Sequence, residues 1–368
     1  MKRLRKPMLL TILIVTGLIA TTFLFMQQST FGSDPTTLRL ERIKRSPNYR
    51  DGAFQNLEPT EVMRKGASYT ALLWDNLNKP KDNTPPKPIP SVRTDLKTLP
   101  DSIPTVVWFG HSSYLIKSKG ITILVDPVFS GNASPVSFVG GAYPGSNVYG
   151  VDDMPDIDML VLSHDHYDHL DYKTIIQLIP KVKKFYTALG VGAHLERWGV
   201  PADRIVEFDW WESNRVTPDI DLTAVPARHF SGRSFARGKT LWTAFVLKLH
   251  GYSLYLGGDS GYGKHFREIG NKYGPFDLAI LECGQYGKDW PTIHMLPEEV
   301  VIAAQDLHAK TVLPVHWAKF SLALHGWKEP IERFTIRATE QKLDVTTPMI
   351  GEPLVVGVTY PRSLWWNY

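Results

Sequence analysis

The chain has 368 residues, 43% of them hydrophobic, and a formal net charge of +4. That length and apolar content support a large packed body and exclude a disordered chain; so small a charge, with no basic block beyond the amino terminus, gives no reason to expect nucleic acid as a partner. A single cysteine, Cys283, excludes an internal disulfide and a thiolate metal cluster, and its setting in LAILECG predicts core packing.

Met1 to Lys6 holds four basic residues, and Met8 to Met26 follows as nineteen uncharged residues dominated by Leu, Ile, Thr and Phe. At about 1.5 Å per residue, a helix of that length spans the roughly 30 Å hydrocarbon core of a bilayer. The next segment, QQSTFGSD, has no A-x-A type cleavage site, so residues 1–27 read as an uncleaved single-pass anchor rather than a signal peptide. Lys2, Arg3, Arg5 and Lys6 abut the apolar run, whereas Arg39, Arg42, Lys44 and Arg45 stand farther off. This asymmetry puts the amino terminus in the cytoplasm and the rest of the chain on the other side of the membrane.

Residues 28–104 are polar and punctuated by proline. The densest stretch, NKPKDNTPPKPIPSV, cannot hold a helix or a central strand, so this region is expected to wrap the body or tether it. From residue 105 to 368 short β runs come first: TVVWF, SSYLIK and ITILV. MLVLS at Met159, KKFYT, RIVEF, DLTAV, TAFVLKL, SLYLGG, LAIL and TVLPV then alternate with helical stretches near Tyr172–Leu178, Val191–Trp198, Lys264–Tyr273 and Pro297–Leu307. Strands with helices outside them predict a layered α/β domain.

The run MLVLSHDHYDHLD stops being apolar at Ser163 and then presents His164, His166, Asp168 and His169 within six positions. Imidazole and carboxylate are the ligands a borderline cation prefers, and such groups crowded at a strand end destabilise a fold unless something binds them. His229 follows DLTAVPAR, Asp259 follows SLYLGG and His316 follows TVLPV. Each is a metal-ligand type placed just beyond a β run, where a rigid scaffold presents functional groups. Asp126 in LVDPVF and His111 in WFGHSSY also end strands, and are expected to orient ligand imidazoles, with turn capping as the alternative. Tyr167, among the ligands, is open to plain packing.

The pattern H-x-H-x-D-H resembles that of the metallo-β-lactamase superfamily of two-metal hydrolases. The resemblance implies an αββα sandwich in which His164, His166 and His229 hold one Zn2+, Asp168, His169 and His316 hold a second, and Asp259 bridges them. Two cations about 3.5–4 Å apart need an anion between them, and water on such a pair ionises near neutral pH. Iron or manganese suits the same ligands.

WFGHSSYLI, DPVFSGNASP, FDWWES, LWTAFVL, GGDSGYGKHFREIG, YGPFDLAILECGQY, HMLPEEVV and PVHWAKF run from Trp108 to Trp317. They resemble the zinc phospholipase D family that hydrolyses N-acylphosphatidylethanolamine; FQNLEPT at Phe54 resembles that family's amino-terminal region. What this implies is a phospholipid substrate at the membrane. Hydroxide held by the metals would attack phosphorus in line with the departing alkoxide, releasing an N-acylethanolamine and leaving phosphatidic acid. Asp168 and Asp259 would take part as metal-holding catalytic carboxylates. His294, in PTIHMLPEE, would contact phosphate or protonate the leaving group, or else be a structural histidine flanking a helix. The alternatives are a lactonase of the ascorbate-phosphate type and a non-catalytic, metal-stabilised membrane protein. A nuclease lacks the long basic or aromatic stretch that would grip a strand. Nothing in the sequence sets an oligomeric state.

Overall fold

The computed structural model describes residues 2–368, and the side chains of 8–68 and 70–368. The basic cluster Lys2 to Lys6, on which the orientation across a membrane rests, lies outside the described side chains. Helix α1 (Lys2–Met26) contains the run Met8–Met26, with mean hydropathy 2.4 and none of it buried, so it is long and apolar enough to cross a membrane.

The chain that follows lies along the body. It forms α2 (Thr37–Arg45), the hairpin β1 (Tyr49–Arg50) with β2 (Ala53–Phe54), and α3 (Tyr69–Leu77). Arg39 of α2 pairs with Glu196 at 2.7 Å and Glu207 at 2.8 Å, Arg64 pairs with Asp289 at 2.6 Å, and the Asn83 amide donates to the carbonyls of Ala323 and His325. The proline-dense stretch makes one 3-10 turn, Lys81–Asn83, and otherwise stays irregular. Two helices thus stand where the sequence predicts only wrapping chain. Short helices of this kind are marginal alone, and α2 is held by ion pairs to distant residues rather than by a periodic apolar face.

The body begins with β3 (Thr105–Trp108), β4 (Tyr114–Ser118) and β5 (Ile121–Val125), an antiparallel meander. β6 (Ile157–Leu162), α4 (Tyr172–Leu178), β7 (Val182–Ala188), α5 (Gly192–Arg197) and β8 (Ile205–Phe208) extend it with parallel strands joined through helices. A second sheet is built from β9 (Ser213–Thr217), β10 (Ile220–Val225), β11 (Ala244–Leu249), β12 (Tyr252–Leu256), β13 (Leu278–Glu282) and β14 (Val312–Val315). Helices α6 (His265–Tyr273) and α7 (Pro297–Asp306) connect its last three strands. Helix α8 (Glu329–Glu340) packs on α7, and β15 (Pro353–Val355) returns to pair with β3. The sheet orders are β15-β3-β4-β5-β6-β7-β8 and β14-β13-β12-β11-β10-β9.

Strand periodicity explains the layering. In β6, Met159 and Val161 point into a core shared with Ala224, Phe245 and Leu256 of the second sheet, while Leu160 and Leu162 point out to Ile175, Leu178 and Leu195 of α4 and α5. A strand buried on both faces reads as an unbroken apolar run, which is why β6 stands out in the sequence. Helices α6, α7 and α8 close the far side with Phe266, Ile269, Val300, Ala304, Ile331 and Phe334. The result is the expected αββα sandwich.

Candidate metal centre

Functional side chains collect where strands from both sheets run out. β6 ends at Leu162, and the turn beyond it carries His164, His166, Asp168 and His169; His229 follows β10, Asp259 follows β12 and His316 comes directly after β14. The close approach of β6 and β12 requires Gly258. Its φ is +61°, and a Cβ there would lie 2.8 Å from Ser163 Cβ, so only glycine lets Asp259 reach the His164 turn.

All seven residues converge. His166 Nδ1 is 3.0 Å from His164 Nε2 and 3.1 Å from His229 Nε2. Asp259 faces this group with Oδ2, 3.8 Å from His164 Nε2 and 3.7 Å from His229 Nε2. Its other oxygen, Oδ1, is 3.1 Å from His169 Nε2 and 3.2 Å from His316 Nδ1, and Asp168 Oδ2 is 3.6 Å from His169 Nε2. One carboxylate therefore stands between two groups of ligand-type atoms. The residues fit a metal on chemical grounds too. Among the described residues, His169 Nε2 and Asp259 Oδ1 are buried atoms with no hydrogen-bond partner although they face each other, a situation a shared cation resolves.

The electrostatics agree. Burial, reinforced by neighbouring imidazoles, holds His164, His229 and His316 well below the usual histidine range, and burial takes His166 down to about 4. These rings are neutral at physiological pH, the state that ligates metal. His169 goes the other way: burial pulls it down, but the charges of Asp259 and Asp168 and the bond to Asp126 raise it well above that range. Burial pushes Asp259 up to about 6 against the pull of His169.

The supporting contacts match the sequence reading in part. Asp126 takes the His169 Nδ1 hydrogen at 2.8 Å while accepting Ser163 N at 2.8 Å and Ser163 Oγ at 2.6 Å, so it orients an imidazole as expected. His111 does not. Its Nε2 lies 2.9 Å from Asp168 Oδ2, so it braces a carboxylate, because its backbone is paired with His316 and Trp317 and turns the ring toward that side. His111, Asp126, His316 and Ala318 all have left-handed backbones, with φ of 52°, 40°, 66° and 63°, strain of the kind that concentrates at working sites.

His294 belongs to the centre rather than to a helix flank. Its Nδ1 is 2.7 Å from Glu282 Oε2, and its ring centroid is 5.0 Å from that of His229 and 5.3 Å from that of His316. Glu282 escapes the sequence reading; its only signal is a carboxylate closing the wholly buried strand LAILE. Burial raises its carboxyl well above the usual range. Asn56, within FQNLEPT, is a second omission: its amide donates to His229 O at 2.8 Å and accepts from His229 N at 3.1 Å. Tyr167 packs, its hydroxyl donating to Arg233 O. Cys283 is buried, and burial raises its thiol well above the ordinary value, which leaves it the core role expected.

The centre opens into a cavity of about 290 Å³. His166, Asp168, His229, Asp259, His294 and His316 line it together with the apolar side chains of Val62, Met63, Leu72, Phe230, Trp290, Ile293 and Leu322. Val62, Met63 and Leu72 belong to the chain that precedes β3. Arg237 stands at the rim, its guanidinium 5.0 Å from the Phe230 ring centroid.

Residues 122–317, more than half of the chain, match the family described as the beta-lactamase superfamily domain. A protein of Mycobacterium tuberculosis described as uncharacterised is 40% identical over 343 residues, covering 91% of each chain. The N-acyl-phosphatidylethanolamine-hydrolyzing phospholipase D 1 of Caenorhabditis elegans is 32% identical over 228 residues, which cover 58% of this chain and 64% of that protein. Among solved structures, Igni18, a metallo hydrolase of Ignicoccus hospitalis, shares the fold with a TM-score of 0.53 at 20% identity, covering 68% of this chain and 97% of its own. The match over more than half of the chain, with the converging ligand-type side chains, makes this chain a member of the metallo-β-lactamase superfamily and a metal-dependent hydrolase.

Proposed function

We propose that the protein is a membrane-anchored, two-zinc phosphodiesterase of the phospholipase D type, acting on N-acylphosphatidylethanolamine or a related phospholipid. The observation that carries this reading is the mixed lining of the cavity: ligand-type side chains beside seven apolar ones suit a phosphodiester joined to acyl chains. The similarity to the Caenorhabditis elegans phospholipase D supports the head group, and the apolar α1 supports a substrate met in a bilayer.

In this reading His164, His166 and His229 would hold one metal and Asp168, His169 and His316 the other, with Asp259 standing between the two groups. Bound there, the metals supply Lewis acidity toward a phosphoryl oxygen and a water ionised near neutral pH. Asp126 fixes the tautomer of His169 and His111 steadies Asp168. His294, tied to Glu282 through Nδ1, leaves its other ring nitrogen for the substrate and gives a proton to the departing alkoxide oxygen. The apolar wall keeps bulk water from the reacting phosphorus. The O–P bond on the head-group side breaks, giving an N-acylethanolamine and phosphatidic acid.

The test is mass spectrometry of products from the purified, zinc-loaded protein mixed with an extracted lipid pool and, separately, a lactone panel. Paired appearance of N-acylethanolamine and phosphatidic acid is expected. Lactone opening with inert phospholipid would replace this reading by the lactonase one.

A further inference from the structure

The turn that displays the ligands is fastened to the segment leaving α1. Arg233 is buried, 4% exposed, and its guanidinium donates to backbone carbonyls: Nη1 to Asp165 O and Leu170 O, each at 2.7 Å, and Nε and Nη2 to Thr30 O at 3.1 and 2.8 Å. Asp165 and Leu170 bracket His166, Asp168 and His169. The same guanidinium lies 4.1 Å from the Tyr167 ring centroid and 5.2 Å from that of Trp198. Among the described residues it forms no ion pair; carbonyl dipoles and ring faces surround its charge, and the carboxylates of Asp165, Asp171 and Asp168 favour it from beyond contact distance.

A second connection runs in parallel. Ser33 N donates to His194 Nδ1 at 2.9 Å, and His194 Nε2 lies 3.3 Å from Asp165 Oδ2, which also accepts from Thr240 Oγ1 at 2.9 Å. Trp198 Nε1 donates to Ser29 O at 2.7 Å, and Phe31 sits edge-on to Tyr167 with centroids 6.4 Å apart. Gly32 makes this seat possible: its φ is +72°, and a Cβ would fall 2.0 Å from His194 Nδ1. The strap from Ser29 to Ser33 therefore touches Tyr167 through Phe31 and reaches Asp165 through His194, these being the residues interleaved with the ligands, and it supplies the third point of the Arg233 clamp.

We propose that this strap is a working part of the metal-binding turn, and that Arg233 is a positioning residue whose grip on Thr30 sets the ligand geometry of His166, Asp168 and His169. The proposal rests on the reading of those residues as metal ligands and is independent of the substrate. Loss of such an outer support typically costs roughly 10–100-fold in metal affinity.

The experiment uses the full chain in detergent, stripped with chelator and titrated with cobalt(II), whose visible spectrum reports ligand geometry. Cooperative thermal unfolding of each metal-free variant establishes that it is folded. Arg233→Met and Gly32→Ala are expected to weaken cobalt binding by roughly 10–100-fold and to shift the bands in the same way, with Arg233→Lys in between. Ser33→Pro, which replaces the N–H given to His194 with a ring carbon, carries the same expectation and stands in if Gly32→Ala does not fold. Arg197→Ala, which loses a bond to Gln27 O on the exposed side, should match wild type. Wild-type affinity and bands in a folded strap variant would make the strap a passive tether and overturn the proposal. Failure of the wild-type chain to bind cobalt would instead overturn the metal-site reading.

Discussion

Asp259 offers its two oxygens to two different groups, at 3.7–3.8 Å on one side and 3.1–3.2 Å on the other, and an amide carries neither the charge nor the second acceptor needed for that. Asp259→Asn should stay folded, lose metal and lower hydrolysis by more than the roughly 10–100-fold that an outer partner costs; elemental analysis and turnover on one preparation check both. Asp126→Asn leaves the ligands in place but removes the charge behind His169. Cobalt or zinc affinity should fall roughly 10–100-fold, measured by chelator competition. Lys319 poses a different case. It is buried, its ammonium donates to Phe109 O and Val128 O, and burial draws it from 10.5 to about 7. Between those values the unfolded chain binds a proton that the fold does not, so stability rises with pH across that window and is lowest below it. Urea unfolding from pH 6 to 10 should show wild type gaining on Lys319→Met as pH rises; a pH-independent difference would refute the assignment. The seven ligand-type residues are legible because each is a rare type set just past an apolar run. Asn56 and Glu282 are not: Asn56 acts on the backbone of a residue 173 positions away, and Glu282 is hidden in a strand whose other residues are all apolar.

Elements were legible where burial is two-sided or strictly alternating, and obscure at the edges. β9, SNRVT, forms one margin of its sheet and has no buried residue, so Val216 is its one apolar mark in the sequence. β15 has three residues and exists because β3 offers an unpaired edge. Helix α8 does carry a helical period, with Ile331, Phe334 and Ala338 buried and Pro330 in its first turn, and the signal is diluted by its charged face. Beyond α8 the chain carries Trp365 and Trp366, both buried. Trp365 stacks on Trp317 with ring centroids 5.0 Å apart, donates to Pro348 O, and closes a triangle of rings with Trp108, 5.6 Å from Trp317 and 6.4 Å from Trp365. Trp365→Ala should cost about 3–5 kcal/mol, the usual toll of emptying so large a site, read as a lower unfolding midpoint. Such a loss would show that the terminal segment completes the core beneath His316 rather than trailing from it.

Across the molecule, the ligand-type residues come from both sheets, so cations at the centre would join two layers otherwise held by the apolar core. Chelation should therefore lower the unfolding temperature as well as stop hydrolysis, and zinc at about 100 times its dissociation constant should return about 2.7 kcal/mol. Calorimetry before and after readdition tests this. The α/β layering followed from the order of runs in the sequence and the sandwich from the family resemblance, but the use of residues 28–104 did not, since polar, proline-rich chain does not announce that Val62, Met63 and Leu72 will line a cavity. The strap at Ser29–Ser33 has one more effect. Thr30 is four residues beyond Met26, a distance of at most about 14 Å even when extended, and Arg233 fixes it to the body. With α1 in a bilayer, the catalytic mouth cannot swing away on a leash. Turnover would then follow the mole fraction of substrate within the host leaflet, replenished by lateral diffusion, and would be indifferent to how many other vesicles share the tube.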